Sequence, residues 1–219
     1  MTVQFDMMLA RRLVLLACAL LPAGAGAQQD LPANGLFLIA KPTLTDPNFA
    51  RTVVLVTQTE DGSTVGVIVN RPSTLGLSQF LSGEFETQNY RDPIFLGGPV
   101  MHQAIVAVYS SETPPVAAAF HVLKNLYLTM HADNLKLMLG TPGARYRLYA
   151  GFSGWAPRQL QSEFTRDGRY VLPADEATVF RKTTDGMWEE LVARAVSRGP
   201  RTRNSGVTIF AKWFGPCDC

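Results

Sequence analysis

The stretch from Gly151 to Phe164 constrains this chain more than any other, because it packs the most special residues into the fewest positions. It follows Arg145 to Ala150, where polar and apolar residues alternate as in a strand with one buried face. Gly151 and Gly154 allow backbone angles that other residues resist, which predicts a sharp turn beside the sheet. Pro157 stands at the expected first helical position, where its missing N–H costs nothing. Gln159 and Glu163 are four apart and share one helix face, while Leu160 and Phe164 share another. Two outcomes are compatible with this pattern. One is a structural corner built on a core tryptophan; the other is a recognition pocket lined by Trp155, Gln159 and Glu163.

The preceding chain reads mainly as strands. Gly35 to Ala40 is a buried first strand, and Thr45 to Phe49 is a turn in which Asp46 and Asn48 bond locally. Arg51–Thr57 and Thr64–Asn70 are two β-branched strands joined by the turn Glu60-Asp61-Gly62-Ser63. Leu75–Phe85 is expected to be a short helix and Gln103–Ser110 a strand. Phe120–Leu123 and Asn125–Met130 form a hairpin. Ala132–Leu139 is an amphipathic helix stopped by Gly140. Tyr170–Pro173 and Thr178–Phe180 read as late strands, and Gly186–Val196 as a closing helix with Trp188, Leu191 and either Val192 or Ala195 on one face.

Taken together, Gly35-Leu36-Phe37-Leu38-Ile39-Ala40, Asp46, Phe49, Gly66-Val67-Ile68-Val69-Asn70-Arg71-Pro72, Gly97-Gly98-Pro99-Val100 and Gly151 to Glu163 resemble the AlgH/YqgE family. The resemblance runs in the family's order from Leu31 to Ala195. It implies a single α+β domain whose bifurcated, mostly antiparallel sheet curls into a pseudo-barrel with a few short helices. The family is bacterial, has no agreed biochemical activity, and carries the label of a transcriptional regulator. This chain departs from it at Ala156, Arg158 and Gln161, which replace two glycines and a glutamate, and at Tyr170, where tryptophan is common. The segment Val196 to Cys219 lies beyond the family pattern.

The N-terminus differs too. Arg11-Arg12, the apolar run Leu13 to Leu21 and Ala25-Gly26-Ala27 have the layout of a secretory signal peptide. The expected organisation is a signal peptide over 1–27, the AlgH/YqgE-like domain over 28–195 and a basic tail over 196–219. Export to the periplasm or beyond follows from that reading, and no transmembrane segment remains after cleavage. The tail carries Cys217 and Cys219, too close to close a useful disulfide loop. Within the tail, Gly206–Trp213 has the pattern of an extra edge strand.

With a net charge of +2 over 219 residues, no nucleic-acid footprint is expected. Gly151-Phe152-Ser153-Gly154-Trp155 falls one residue short of a nucleophile elbow, since Trp155 occupies the last glycine position. The histidines His102, His121 and His131 lack metal-ligand spacing, and Gly97-Gly98-Pro99 lacks the lysine and helix of a phosphate loop. No metal or cofactor is expected. The candidate ligand-binding residues are Asn70, Arg71, Gly97, Gly98, Trp155, Gln159 and Glu163. The leading expectation is a non-catalytic, exported binding or regulatory protein whose partner is a protein or small ligand. The alternatives are a cytoplasmic transcriptional regulator and a hydrolase using Ser153 or Glu163.

Overall fold

Five consecutive buried residues make the first strand, β1 (Leu36–Ala40), apolar on both faces, so it must lie inside a layered structure. The computed structural model describes residues 34–81, 83, 85–164 and 168–197. The predicted signal peptide and residues 198–219 of the tail, with both terminal cysteines, lie outside the described residues. β1 pairs antiparallel with β2 (Val53–Gln58), and β2 with β3 (Thr64–Ile68). Further along are β4 (Phe95–Leu96), β5 (Val100–Ser110), β6 (Phe120–Leu123), β7 (Leu126–Thr129), β8 (Tyr146–Trp155) and β9 (Arg169–Pro173). The helices are α1 (Ala132–Gly140), α2 (Gln159–Phe164), α3 (Glu176–Val179) and α4 (Met187–Ser197).

The strands form one sheet in the order β6-β7-β5-β8-β3-β2-β1-β9, with β4 added parallel to β8. Every other strand pairing among the described residues is antiparallel. β8 is where the sheet divides: its first half pairs with β5 and β4, and its end with β3. The sheet curls without closing. Gly35 N donates to Val122 O at 2.7 Å and Thr57 Oγ1 to His121 O at 3.0 Å, bringing β6 round to β1 and β2. This is the expected α+β architecture.

Alternation along the strands sorts the core into layers. Phe37, Ile39, Val53, Leu55, Val67, Val106 and Tyr149 fill the interior of the curl, and α4 closes it with Met187, Trp188 and Leu191. Trp188 Nε1 donates to Ala40 O at 2.8 Å, fixing α4 to the end of β1. On the outside, α1 covers Ala107, Leu148 and Ala150 with Leu135, Met138 and Leu139. Trp155 and Leu160 cover Leu36, Leu38, Val54, Val56 and Ile68.

Five local expectations change. Among the described residues of the predicted helix 75–85, only Leu77–Gln79 forms a helical turn, and it is 3-10 helix. Thr178–Phe180 is not a strand: Asp175 caps α3 by accepting from Thr178 N at 2.8 Å, which commits Thr178 and Val179 to a helix. Gly140 is the last residue inside α1, and Thr141 caps it. Pro157 lies in a turn ahead of α2, which starts at Gln159. Gly151 and Gly154 make no turn, because β8 runs straight through them to Trp155.

The crossing at Gly151 and the corner at Trp155

Gly151 stays in the strand with φ 70°, a left-handed conformation that favours glycine. Its neighbour β5 explains why. Val100 pairs with Phe152 and Ile105 with Ala150, so Met101 to Ala104 stand opposite Gly151 alone. A Cβ on Gly151 would meet Val100 O at 2.8 Å and Gly98 O at 2.9 Å. The bulge pushes Met101, His102 and Gln103 into solvent, and Met101 takes φ 48°, a strained value for a side-chain-bearing residue.

Gly97 and Gly98 serve the same crossing. A Cβ on Gly97 would lie 2.2 Å from Gly151 O, and one on Gly98 2.3 Å from Ser153 Oγ. Gly97 O accepts from Ile68 N at 2.8 Å and from Ser153 Oγ at 3.2 Å. The glycine pair is required by the close passage of two backbones. Ser153 is fully buried, and its hydroxyl is committed to that carbonyl. His121 stacks on Tyr127 with ring centroids 5.0 Å apart, while His131 caps α1 by accepting from Asp133 N.

Asn70 and Arg71 hold the turn that leads into β2. Asn70 Oδ1 accepts from Val53 N at 2.9 Å and its Nδ2 donates to Arg51 O at 3.0 Å. Arg71 donates to the carbonyls of Asn48 (2.7 Å), Ala50 (3.1 Å) and Pro47 (3.3 Å). Burial lowers its pKa, opposed by nearby Asp46. Within the turn, Asp46 Oδ1 accepts from Asn48 N at 2.8 Å, the local bond expected of it.

Trp155 sits at the other end of β3, opposite Thr64. It is only 4% exposed, and its Nε1 donates to Glu163 Oε2 at 3.2 Å. The same oxygen accepts from Arg169 Nη2 at 3.4 Å. The Arg169 guanidinium lies 4.6 Å from the centre of the Phe49 ring and 5.6 Å from that of Trp155. Burial lowers the Arg169 pKa, while Glu163 and Asp46 raise it. Gln159 remains exposed and accepts from Ala156 N at 3.0 Å, capping the turn into α2.

The predicted residues therefore fall into two groups. Asn70, Arg71, Gly97 and Gly98 gather beyond one end of β3, and Trp155, Gln159 and Glu163 at its other end. Phe49 joins them, since Arg71 fixes its turn and its ring lies 5.7 Å from Trp155. Sequence reasoning overlooked Arg169 and the Met101–Ala104 bulge. The only cue to the bulge was Gly151 itself, and a basic residue at a strand start gave no sign of burial. Among the described residues, no group of three or more His, Cys, Asp or Glu side chains could hold a metal.

A family model described as AlgH-like matches residues 37–198, which span this whole framework. The chain belongs to the AlgH-like family. Among AlgH-like relatives, a UPF0301 protein of Thermobifida fusca is 34% identical, covering 75% of this chain and 87% of its own. One from Xylella fastidiosa is 35% identical over 72% of this chain and 86% of its own. The solution structure of the AlgH protein from Pseudomonas aeruginosa superposes with a TM-score of 0.57 at 26% identity, covering 76% of this chain and 88% of that one. A crystal structure of protein DIP2367 from Corynebacterium diphtheriae gives 0.60 at 23% identity, covering 75% and 87%, and shows the shared AlgH-like fold. The biochemical function of the family is unknown.

Proposed function

We propose that this AlgH-like protein is an exported, non-catalytic binding protein whose partner is a protein or small ligand. The supporting observation is that the polar groups best suited to chemistry are committed to the frame. Ser153 bonds Gly97 O, Glu163 serves both Trp155 and Arg169, and Arg71 serves three carbonyls. In this reading Asn70, Arg71, Gly97 and Gly98 position a recognition surface, while Trp155, Gln159 and Glu163 brace the far end of β3. That surface is the rim at the Gly151 crossing, where Met101 is 63% exposed and Leu96 43% exposed, on either side of Ala150-Gly151. A bulge that holds an apolar side chain outward at a strained φ is a feature of recognition sites. Export rests on Arg11-Arg12, the Leu13–Leu21 run and Ala25-Gly26-Ala27, and it removes the protein from direct contact with DNA.

The test has two arms. The native protein from the periplasmic fraction is expected to begin at Gln28 by intact mass; a full-length cytoplasmic chain would overturn export and restore the regulator reading. A photo-crosslinking residue at position 101 is expected to capture a discrete partner in cells. The same residue at the exposed Leu137 of α1 is expected to capture none. Equal capture at both positions, or none at 101, would refute the rim as the binding surface.

A further inference from the structure

β9 ends the sheet, and among the described residues it pairs with β1 alone. Its hydrogen bonds show which groups face outward. Lys41 N donates to Gly168 O, and Ala174 N donates to Gly35 O. In an antiparallel ladder this turns Gly168, Tyr170, Leu172 and Ala174 toward β1. The N–H groups of Arg169 and Val171, with the carbonyls of Arg169, Val171 and Pro173, then point away from β1. Pro173 has no N–H to offer and stands at the edge, where strand prolines belong.

This edge is apolar on both sides of the sheet. Tyr170 and Leu172 pack into the interior of the curl, while Val171 packs into the outer layer with Trp155. A strand that continued the sheet here needs apolar residues at both parities, unlike a half-exposed strand. The opposite edge at β6 is already partly occupied, because Val122 O and His121 O accept from Gly35 and Thr57.

The segment Gly206–Trp213 carries apolar residues at both parities: Val207, Ile209, Ala211 and Trp213 on one, and Phe210, between Thr208 and Lys212, on the other. The segment lies outside the described residues, but its point of departure does not. α4 carries Trp188, Leu191, Val192 and Ala195 into the same core as Tyr170 and Leu172, and ends at Ser197. The intervening residues 198–205 reach about 26 Å when extended, enough to return from the helix end to the strand that this helix covers. We propose that Gly206–Trp213 adds to the outer edge of β9 as a further strand of the same molecule. Main-chain bonds to Arg169 and Val171 would hold it, and the exposed edge would thereby be closed to other chains.

Hydrogen exchange on the full chain tests this. The amides of Arg169 and Val171, and alternate amides within 207–213, are expected to exchange at least about tenfold more slowly than exposed loop amides. The double variant Ile209→Pro/Phe210→Pro must remove one N–H facing β9, whichever parity applies. It is expected to release Arg169 and Val171 to loop-like exchange while Val67 and Val106 stay protected. Fast exchange throughout 207–213 would overturn the proposal, as would unchanged exchange at Arg169 and Val171 in the variant. Protection that rises with protein concentration would also overturn it, since a second copy would then be the donor.

Discussion

Gly97 and Gly151 approach so closely that a single added carbon on Gly97 would lie 2.2 Å from the Gly151 carbonyl oxygen. The colliding atom belongs to the backbone of the central strand and cannot turn aside as a side chain could. Gly97→Ala is therefore expected to cost about 3 kcal/mol or more, at the upper end of overpacking. Gly76→Ala, where the nearest heavy atom is 3.8 Å away, is expected to stay within about 0.5 kcal/mol of the parent. Denaturant midpoints measure both, and equal midpoints would show that the crossing is looser than its geometry.

Ser153 separates binding from hydrolysis. Ser153→Ala removes one buried hydrogen bond to Gly97 O and is expected to cost about 1 kcal/mol. Crosslinking at position 101 should survive unchanged. A hydrolytic activity lost in this variant, with stability intact, would return the nucleophile reading.

Glu163 anchors two donors at once. Glu163→Ala leaves the Trp155 N–H and the buried Arg169 charge without their acceptor, with an expected loss of about 2–3 kcal/mol. Glu163→Gln keeps an acceptor for Trp155 and should lose less. Denaturant midpoints measure both losses, and an equal loss in the two variants would contradict the shared-acceptor role.

Tyrosine burial gives an alkaline limit. Burial raises the pKa of Tyr90, Tyr109, Tyr146 and Tyr149 above the ordinary 10.0, with Tyr109 pushed up to about 12. Above pH 10 the unfolded chain gives up these protons while the folded chain keeps them, so stability falls as pH rises. Their contribution is complete below pH 10 and is lost as pH climbs from 10 through about 12 for Tyr109. Phenolate absorbance should therefore lag in the folded protein and jump on unfolding; a smooth titration of all tyrosines near pH 10 would contradict their burial.

The frame was legible where the pattern was local. The β-branched pair around Glu60–Ser63, the hairpin around Lys124-Asn125 and the apolar face of α4 all appear where the residues placed them. Long-range effects were not legible. Gly151 reads as a turn residue in sequence, yet it is there because β5 presses its bulge onto β8 from elsewhere in the chain. Alternation suggested that Arg147 faces water. Instead it is 6% exposed and donates to Val179 O and Arg181 O, both at 2.6 Å, because β8 is covered on both faces. The α3 cap, by contrast, is present in the sequence as Asp175-Glu176, but the β-branched Thr178-Val179 beside it favours a strand pattern.

The bond from Trp188 to Ala40 joins residues 148 positions apart, and β1 waits almost as long for β9. β1, the first of the described strands, thus meets β9 and α4 only after most of the described chain has emerged. Until α4 is made, the five apolar residues of β1 lack the cover they have in the finished protein. The topology makes completion of the fold a late event with a high loop-closure cost. Until α4 emerges from the ribosome, the apolar strand β1 presents the kind of surface that chaperones bind.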